Sequence, residues 1–187
     1  MSINNVGIFA SQISGRLWEP AGAYDALATV TVPSGGVSSI TFAGIPAGYK
    51  HLQIRASYAA NNGYIDDTLW TINADTTSGN YYGFHQLTGD GSSAAAQAFN
   101  GYGRLAVAPV GSNSTSFSAA IVDILDYANT AKNKTFRSLV GFDANGSGVI
   151  RLRSGLWMQT SAINSISIAT NSGVFVQYSQ FALYGVK

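Results

Sequence analysis

The chain has 187 residues, of which 46% are hydrophobic and only 10% are charged, and its net charge of +1 gives no electrostatic basis for binding nucleic acid or an anionic membrane. The absence of cysteine excludes disulfides and thiolate metal sites. Because an average chain carries about 25% charged residues, this composition predicts that much of the surface is buried against neighbours.

Residues 1 to about 22 differ from the rest of the chain. They carry isolated apolar residues among Ser, Asn and Gly, and a Glu-Pro-Ala-Gly break follows them. They lack the features of a signal peptide, and no run in the sequence reaches the roughly 18 apolar residues of a membrane span. Large apolar side chains are poor residues for a solvated tail. The segment is therefore predicted to dock on a partner or, alternatively, on its own domain, and the partner-docking residues are Ile8, Phe9, Leu17 and Trp18.

The remaining residues, 23–187, are predicted to form one β-sandwich domain. Apolar-polar alternation predicts strands in "YDALATVTV", "VSSITFA", "YKHLQIRASY" and "TLWTINA", and a short aromatic strand over 81–87. Small and polar residues predict a long loop over 89–103. Further strands are expected near 104–110, 117–127, 135–142, 148–159, 163–169 and 174–186. Many short strands without a helical period predict an all-β fold, an antiparallel β-sandwich that is jelly-roll-like.

The strand "YKHLQIRASY" raises the question of whether its polar side is a working site. Alternation places Leu52 and Ile54 toward the core and His51, Gln53 and Arg55 on the opposite face. We interpret that face as the solvated side of a sheet or as a subunit contact.

The C-terminal stretch "FVQYSQFALYGVK" has apolar residues in both alternation registers. A strand that is apolar on both faces is buried on both. The stretch is therefore predicted to be a central strand, or a strand at a subunit contact.

Candidate catalytic residues are few. His51 and His85 are the only histidines, and neither belongs to a zinc motif. Asp123 and Asp126 are three residues apart, which puts their side chains on opposite faces of an extended strand and disfavours a glycosidase pair. Instead, Asp126 and nearby Asn129 are expected to cap a turn from which Lys132 and Lys134 project. No catalytic residue is assigned.

Two other patterns have an ordinary and a functional interpretation. "DANGSG" resembles the start of a calcium loop, but Ser154 stands where the twelfth-position acid would be, and Asn-Gly is a strong hairpin signal. A hairpin is therefore expected from Asp143 onward, and no metal site or cofactor is predicted. Arg151 and Arg153 face the same side of one strand, where they form a polar contact or, alternatively, bind an anion.

One stretch, "SSITFAGIPAGYKHLQIRA", resembles a module of tailed-bacteriophage virion proteins, in which an "ITF" strand, an "xIPxxY" turn and a "KHLQIR" strand follow one another. The stretches "VDILDYANTAKNKTFRSLVGFDANGSG", "SGLWMQTSAINSISI" and "FVQYSQFALYGVK" extend the similarity over about residues 24–187. The family includes tail-fibre, tail-associated and other virion surface proteins.

The resemblance implies a non-enzymatic virion structural protein of tail-associated or fibre type, located on the particle surface and contributing to host attachment. Its partners would be other virion proteins of the tail, baseplate or capsid, and further copies of itself, in particular a homotrimer. A capsid decoration or head-fibre protein is the alternative within this class.

A carbohydrate-binding module is an alternative of a different class. It would recognise host surface glycans by stacking aromatic side chains of loops on sugar rings. The candidate residues for that contact are Tyr64, Tyr82 and Tyr102.

Overall fold

A computed structural model of the chain describes residues 22–62, 66–100, 116–143 and 146–187, and the backbone of 105–110. These residues form an antiparallel β-sandwich, which confirms the predicted fold class, and the only helical segment among them is a 3₁₀ turn at Ser78–Asn80. The strands are β1 (Tyr24–Thr31), β2 (Ser39–Ala43), β3 (His51–Tyr58), β4 (Asp66–Ile72), β5 (Tyr81–Gly89), β6 (Ala94–Phe99), β7 (Leu105–Val110), β8 (Ser118–Leu125), β9 (Lys134–Asp143), β10 (Gly148–Trp157), β11 (Ser165–Thr170) and β12 (Gln180–Val186).

The strands form two sheets of unequal size. The large sheet has the order β1-β12-β3-β8-β9-β10-β5-β6, and the small sheet has the order β2-β11-β4-β7. The chain passes from one sheet to the other at β1–β2, β2–β3, β3–β4, β4–β5, β6–β7, β7–β8, β10–β11 and β11–β12. Repeated crossing between two antiparallel sheets is the connectivity of a jelly roll. Here a meander of three strands, β8 to β10, fills the middle of the large sheet.

The core lies between the sheets and follows the period of two that a strand imposes. On β3 the residues Leu52 and Ile54 are fully buried, as the sequence predicted. Phe175 lies outside the named strands but fills the centre, where its ring packs edge-on to those of Tyr58 and Phe181. The other inward residues include Ile40, Phe42, Trp70, Ile72, Val122, Ile124, Phe136, Val140, Ile166, Ile168 and Leu183.

The connection between β2 and β3 and the start of β3 are bonded to the turn after β8. The Tyr127 hydroxyl donates to the Pro46 carbonyl, and the Asp126 amide donates to His51 Nδ1 at 2.9 Å. The Tyr49 ring lies where a β-carbon on Gly185 would stand, 2.4 Å from the nearest ring atom, so that position of β12 requires glycine. His51 thus has a structural contact at the end of its strand.

The C-terminal strand lies between β1 and β3, which confirms its predicted interior position. Phe181 and Leu183 are buried on the inner face, while Ala182 and Tyr184 are half-buried on the outer face. The strand is shorter than expected and begins at Gln180, because Tyr178 adopts a left-handed φ of 71° and ends the extended conformation before it.

Two further sequence expectations need correction. Residues 94–99, expected in a loop, form β6, because backbone pairing with β5 holds this edge strand although its side chains are exposed and show no alternation. Lys134 does not project from its turn. It is fully buried, and Nζ donates to the carbonyls of Asn129, Lys132 and Thr160 at 2.6–3.0 Å. Burial lowers the pKa of this ammonium group.

Candidate interaction surface

The outer face of the large sheet carries a row of exposed apolar side chains. Ile121, Leu139, Leu152 and Leu87 lie directly opposite one another on β8, β9, β10 and β5. They are 44–56% exposed, as is Ile150 one row away at 56%. Directly opposed side chains in a sheet are in contact range, so the four form a continuous strip, which we call the apolar row. Apolar strips of this kind mark interaction surfaces more often than scattered apolar residues do.

A polar row runs beside the apolar row. Gln53, Asp123, Arg137, Ser154 and His85 are opposed on β3, β8, β9, β10 and β5. Asp123 accepts hydrogen bonds from Gln53 Nε2 and Arg137 Nη2, each at 2.8 Å. Burial acts to raise the pKa of the Asp123 carboxyl, but these hydrogen bonds outweigh it and hold the pKa below its usual range. The carboxylate is therefore neutralised within the chain.

Arg55 on β3 lies directly opposite Ile121, at the end of the apolar row. Its Nε donates to Gln53 Oε1 at 2.7 Å. Its guanidinium carbon lies 5.1 Å from the ring centroid of Tyr24 and 5.2 Å from that of Tyr184, within the range of cation–π attraction. The polar residues of β3 therefore belong to a structured network on the sheet face.

A shallow hollow of about 430 Å³ adjoins the apolar row. Small residues form its floor, since Ala119 lies opposite Gly141 on the neighbouring strand and Ala182 lies nearby on β12. A β-carbon added to Gly141 would meet no atom within 4 Å. The outer face thus presents a ridge of large apolar side chains next to a depression of matching chemistry.

Most of the predicted site residues lie outside the described part of the chain. These are the docking residues Ile8, Phe9, Leu17 and Trp18 and the glycan-contact candidates Tyr64 and Tyr102. Tyr82 is described, and it is half-buried on β5, with its ring stacked on that of His85 at 5.0 Å between centroids. Because the imidazole occupies one face of the phenol ring, only the other face remains for a sugar.

The two arginines of β10 point into the sandwich. Arg153 Nη1 lies 2.8 Å and Arg151 Nη1 lies 3.2 Å from Asp67 Oδ1, and both Asp67 and Arg153 are almost fully buried. Arg153 also donates to Gln86 and stacks 4.1 Å over the Phe84 ring. The two side chains share one side of the strand, as predicted, but their anion is a carboxylate of the opposite sheet rather than an external ligand.

The two carboxylates considered as a catalytic pair have separate cations. Asp123 pairs with Arg137 on the sheet face, whereas Asp126 pairs with Lys132 in the following turn. In that turn Asn129 Oδ1 accepts from the Ala131 amide at 2.7 Å, as the turn-capping interpretation expected. The predicted hairpin also forms, because β9 and β10 pair as far as Asp143 and Gly148, with tip residues 144–145 outside the described part.

Two other features, a metal site and a membrane-spanning helix, are not found among the described residues. No three histidine or carboxylate side chains there are grouped so that they could hold a metal ion. Nor does any described helix have the length and apolar character needed to cross a bilayer.

Sequence reasoning missed the apolar row. The signal is present, because "KTFRSLVGF" and "VIRLRSGLW" have large apolar residues in both alternation registers. In the C-terminal stretch the same pattern was interpreted as burial on both faces. The same interpretation of β9 and β10 would have indicated that Leu139 and Leu152 lie on an outer face that a partner covers.

Comparison with known proteins gives no relative. No family model, no curated protein and no solved structure matches this chain.

Proposed function

We propose that this chain is a non-enzymatic structural protein of a tailed-bacteriophage virion, tail-associated or fibre-type, which lies on the particle surface and contributes to host attachment. The virion context derives from the resemblance of residues 24–187 to virion surface modules. The role in assembly derives from the chemistry of the described surface.

The observation that carries the assembly role is the apolar row on the outer face of the large sheet. Its four side chains are 44–56% exposed in the single chain, and of the charged groups beside them Asp123 pairs with Arg137, while Arg55 contacts Gln53 and two tyrosine rings. Such a surface suits a contact with another protein, because apolar area is removed from water at about 25 cal/mol per Å² while no charge is left without a partner. A subunit of a larger particle needs a surface of this kind.

Localisation in the intact particle tests the proposal. Antibodies raised against the recombinant chain are applied as immunogold label to purified particles from the system that encodes it. Label on the tail is expected. Label spread over the capsid would replace the tail assignment with the capsid decoration or head-fibre alternative, and particles that lack the chain by mass spectrometry would contradict the virion role altogether.

A further inference from the structure

We infer that the outer face of the large sheet is buried against a second copy of this chain. The inference rests on the assembly role proposed above and gives it a partner. Three properties of the face support it: its extent, its shape and its charge.

The extent of the face matches a subunit interface. Eight strands spaced by about 4.8 Å span about 38 Å, and the seven residues from His51 to Ser57 rise by about 3.3 Å each, or about 23 Å in all. The area of the face is therefore about 880 Å² per copy, close to the roughly 800 Å² per partner of a standard protein–protein interface. A small ligand would cover only a fraction of this area.

The shape of the face is suited to itself. The apolar row is a ridge, and the hollow over Ala119 and Gly141 lies directly beside it. In a second copy turned to face the first, the ridge of each chain can enter the hollow of the other. Both surfaces are sheets of the same twist, and two such sheets pack face to face at a small angle, as the two layers of a sandwich do.

The charge of the face favours a neutral, apolar partner. Asp123 is paired with Arg137, and Arg55 is held between two tyrosine rings and Gln53. A partner of strong opposite charge would gain little here, because the charged groups already have partners in their own chain. A copy of the same face brings apolar side chains and the same internal Asp123–Arg137 pair, and Arg55 keeps its contacts with Gln53 and the two tyrosine rings when the face is covered.

The oligomeric state of the full chain tests the inference, with sedimentation velocity and light scattering as the measurements. Wild-type protein is expected to form a dimer, because a contact in which the same face of each copy covers the other closes at two copies. Leu139→Lys puts a charge in the ridge, and Gly141→Phe fills the hollow. Each is expected to weaken association by about 100-fold or more, since substitution in a symmetric contact acts on both copies.

The matched control is Thr41→Lys on the outer face of the small sheet, which introduces the same charge at another exposed strand position. It should leave the oligomer unchanged. Circular dichroism and thermal melting of each variant show whether the protomer is folded. A monomeric wild type, or folded Leu139→Lys and Gly141→Phe proteins with unchanged association, would overturn the inference.

A thiol placed on the face gives an independent measurement, because the chain has no cysteine of its own. Leu139→Cys and Thr41→Cys occupy exposed positions in the single chain. Alkylation of Leu139→Cys is expected to be at least about 10-fold slower in the oligomer, as for a residue at an interface centre. Protection in a protein that sediments as a monomer would contradict the inference and assign the cover to residues 1–21 instead.

The association experiments and the particle-labelling experiment test different claims, so one claim can fail without the other. Particle labelling reports whether the chain belongs to a virion, whatever its contacts. A labelled particle with a monomeric chain would reject the inference alone, and an oligomeric chain absent from particles would reject the virion role alone.

Discussion

The two outer faces of the sandwich differ in chemistry although both are built from antiparallel strands. On the large sheet the central row is Ile121, Leu139, Leu152 and Leu87. On the small sheet the corresponding row is Thr41, Ser167 and Thr71, and the Thr41 hydroxyl donates to Ser167 Oγ at 3.2 Å. Hydroxyl side chains stay hydrated on an open strand, whereas leucine and isoleucine gain free energy when a partner covers them.

The contrast shows how one chain can direct its association. A sheet that is solvated on one face normally alternates between apolar and polar residues, as β2 does with Ile40 and Phe42 inside and Ser39 and Thr41 outside. β9 departs from that pattern at Leu139, and β10 departs from it at Ile150 and Leu152. The departures lie side by side, so that one outer face of the sandwich carries a continuous apolar row and the other carries hydroxyl groups.

The largest effect on stability is expected from a substitution on the inner side of β9. It gives a reference for a substitution on the outer side of the same strand. Phe136→Ala removes a ring that is 1% exposed and should lower the free energy of unfolding by about 3–5 kcal/mol. Leu139→Ala in the same strand should change the protomer by less than about 0.5 kcal/mol. Urea unfolding at two protein concentrations separates folding from association. A loss of several kcal/mol for Leu139→Ala at low concentration would show that the face belongs to the protomer's own core.

Acid is expected to act next most strongly, through carboxyl groups whose pKa is lowered in the folded chain. Hydrogen bonds from Lys132 lower the pKa of Asp126, and the network of Arg137 and Gln53 lowers that of Asp123, both from an ordinary value of 3.8. A carboxyl with a lowered folded-state pKa stabilises the fold above the unfolded value, and this contribution is lost as the pH falls through the folded-state pKa. The urea concentration at the midpoint of unfolding should therefore decrease as the pH is lowered below about 4.

The control for this prediction is the double variant Asp123→Asn, Asp126→Asn. Its stability at neutral pH should be lower than that of the wild type, and its decline below pH 4 should be shallower. Equal decline in the two proteins would assign the acid sensitivity to other carboxylates, such as Asp75, whose pKa is also lowered by hydrogen bonds that outweigh its burial.

A third change gives the outer face of the small sheet an apolar row like that of the large sheet. Thr41→Val, Ser167→Val and Thr71→Val together should leave folding within about 1 kcal/mol of the wild type, because valine suits exposed strand positions. The new apolar row should lower solubility and produce concentration-dependent association beyond the wild-type oligomer. Static light scattering over a concentration series measures this. Unchanged behaviour would mean that row chemistry alone does not decide which face associates.

The alternation of β2, β3 and β8 was sufficient to predict their strands, and on β3 it also predicted the buried side. It was not sufficient for β10, where binary patterning favours Leu152 inside and Arg153 outside, and the structure has the reverse. Asp67 explains the inversion, since this buried carboxylate on β4 binds both arginines of β10. The pairing joins residues 84 and 86 positions apart, and no local pattern contains it.

The same limit applies to the interaction surface. Leu139 and Leu152 become a row only through the register in which β9 pairs with β10, and Ile121 and Leu87 join it through β8 and β5. Register between strands far apart in sequence is set by the whole sheet. β6 was missed for a related reason, because its small exposed side chains carry no signal and its pairing with β5 alone defines it.

A smaller effect on association than that of Leu139→Lys is expected from Asp123→Asn, which tests a single charge beside the apolar row. Asp123 pairs with Arg137, whose side chain is 67% exposed in the single chain. Ion pairs with an exposed member contribute about 1 kcal/mol or less to folding, so the protomer should lose no more than that.

In the contact between copies, however, Arg137 would be covered while its carboxylate partner is gone, and burying an unpaired charge is costly. Association should therefore weaken more than folding, by about 10-fold or more. Sedimentation equilibrium gives the first quantity and urea unfolding at low concentration gives the second, with Ser167→Ala on the small sheet as the control. If the variant associates as the wild type does, Arg137 stays in water in the oligomer, and the contact ends at the apolar row without reaching the polar one.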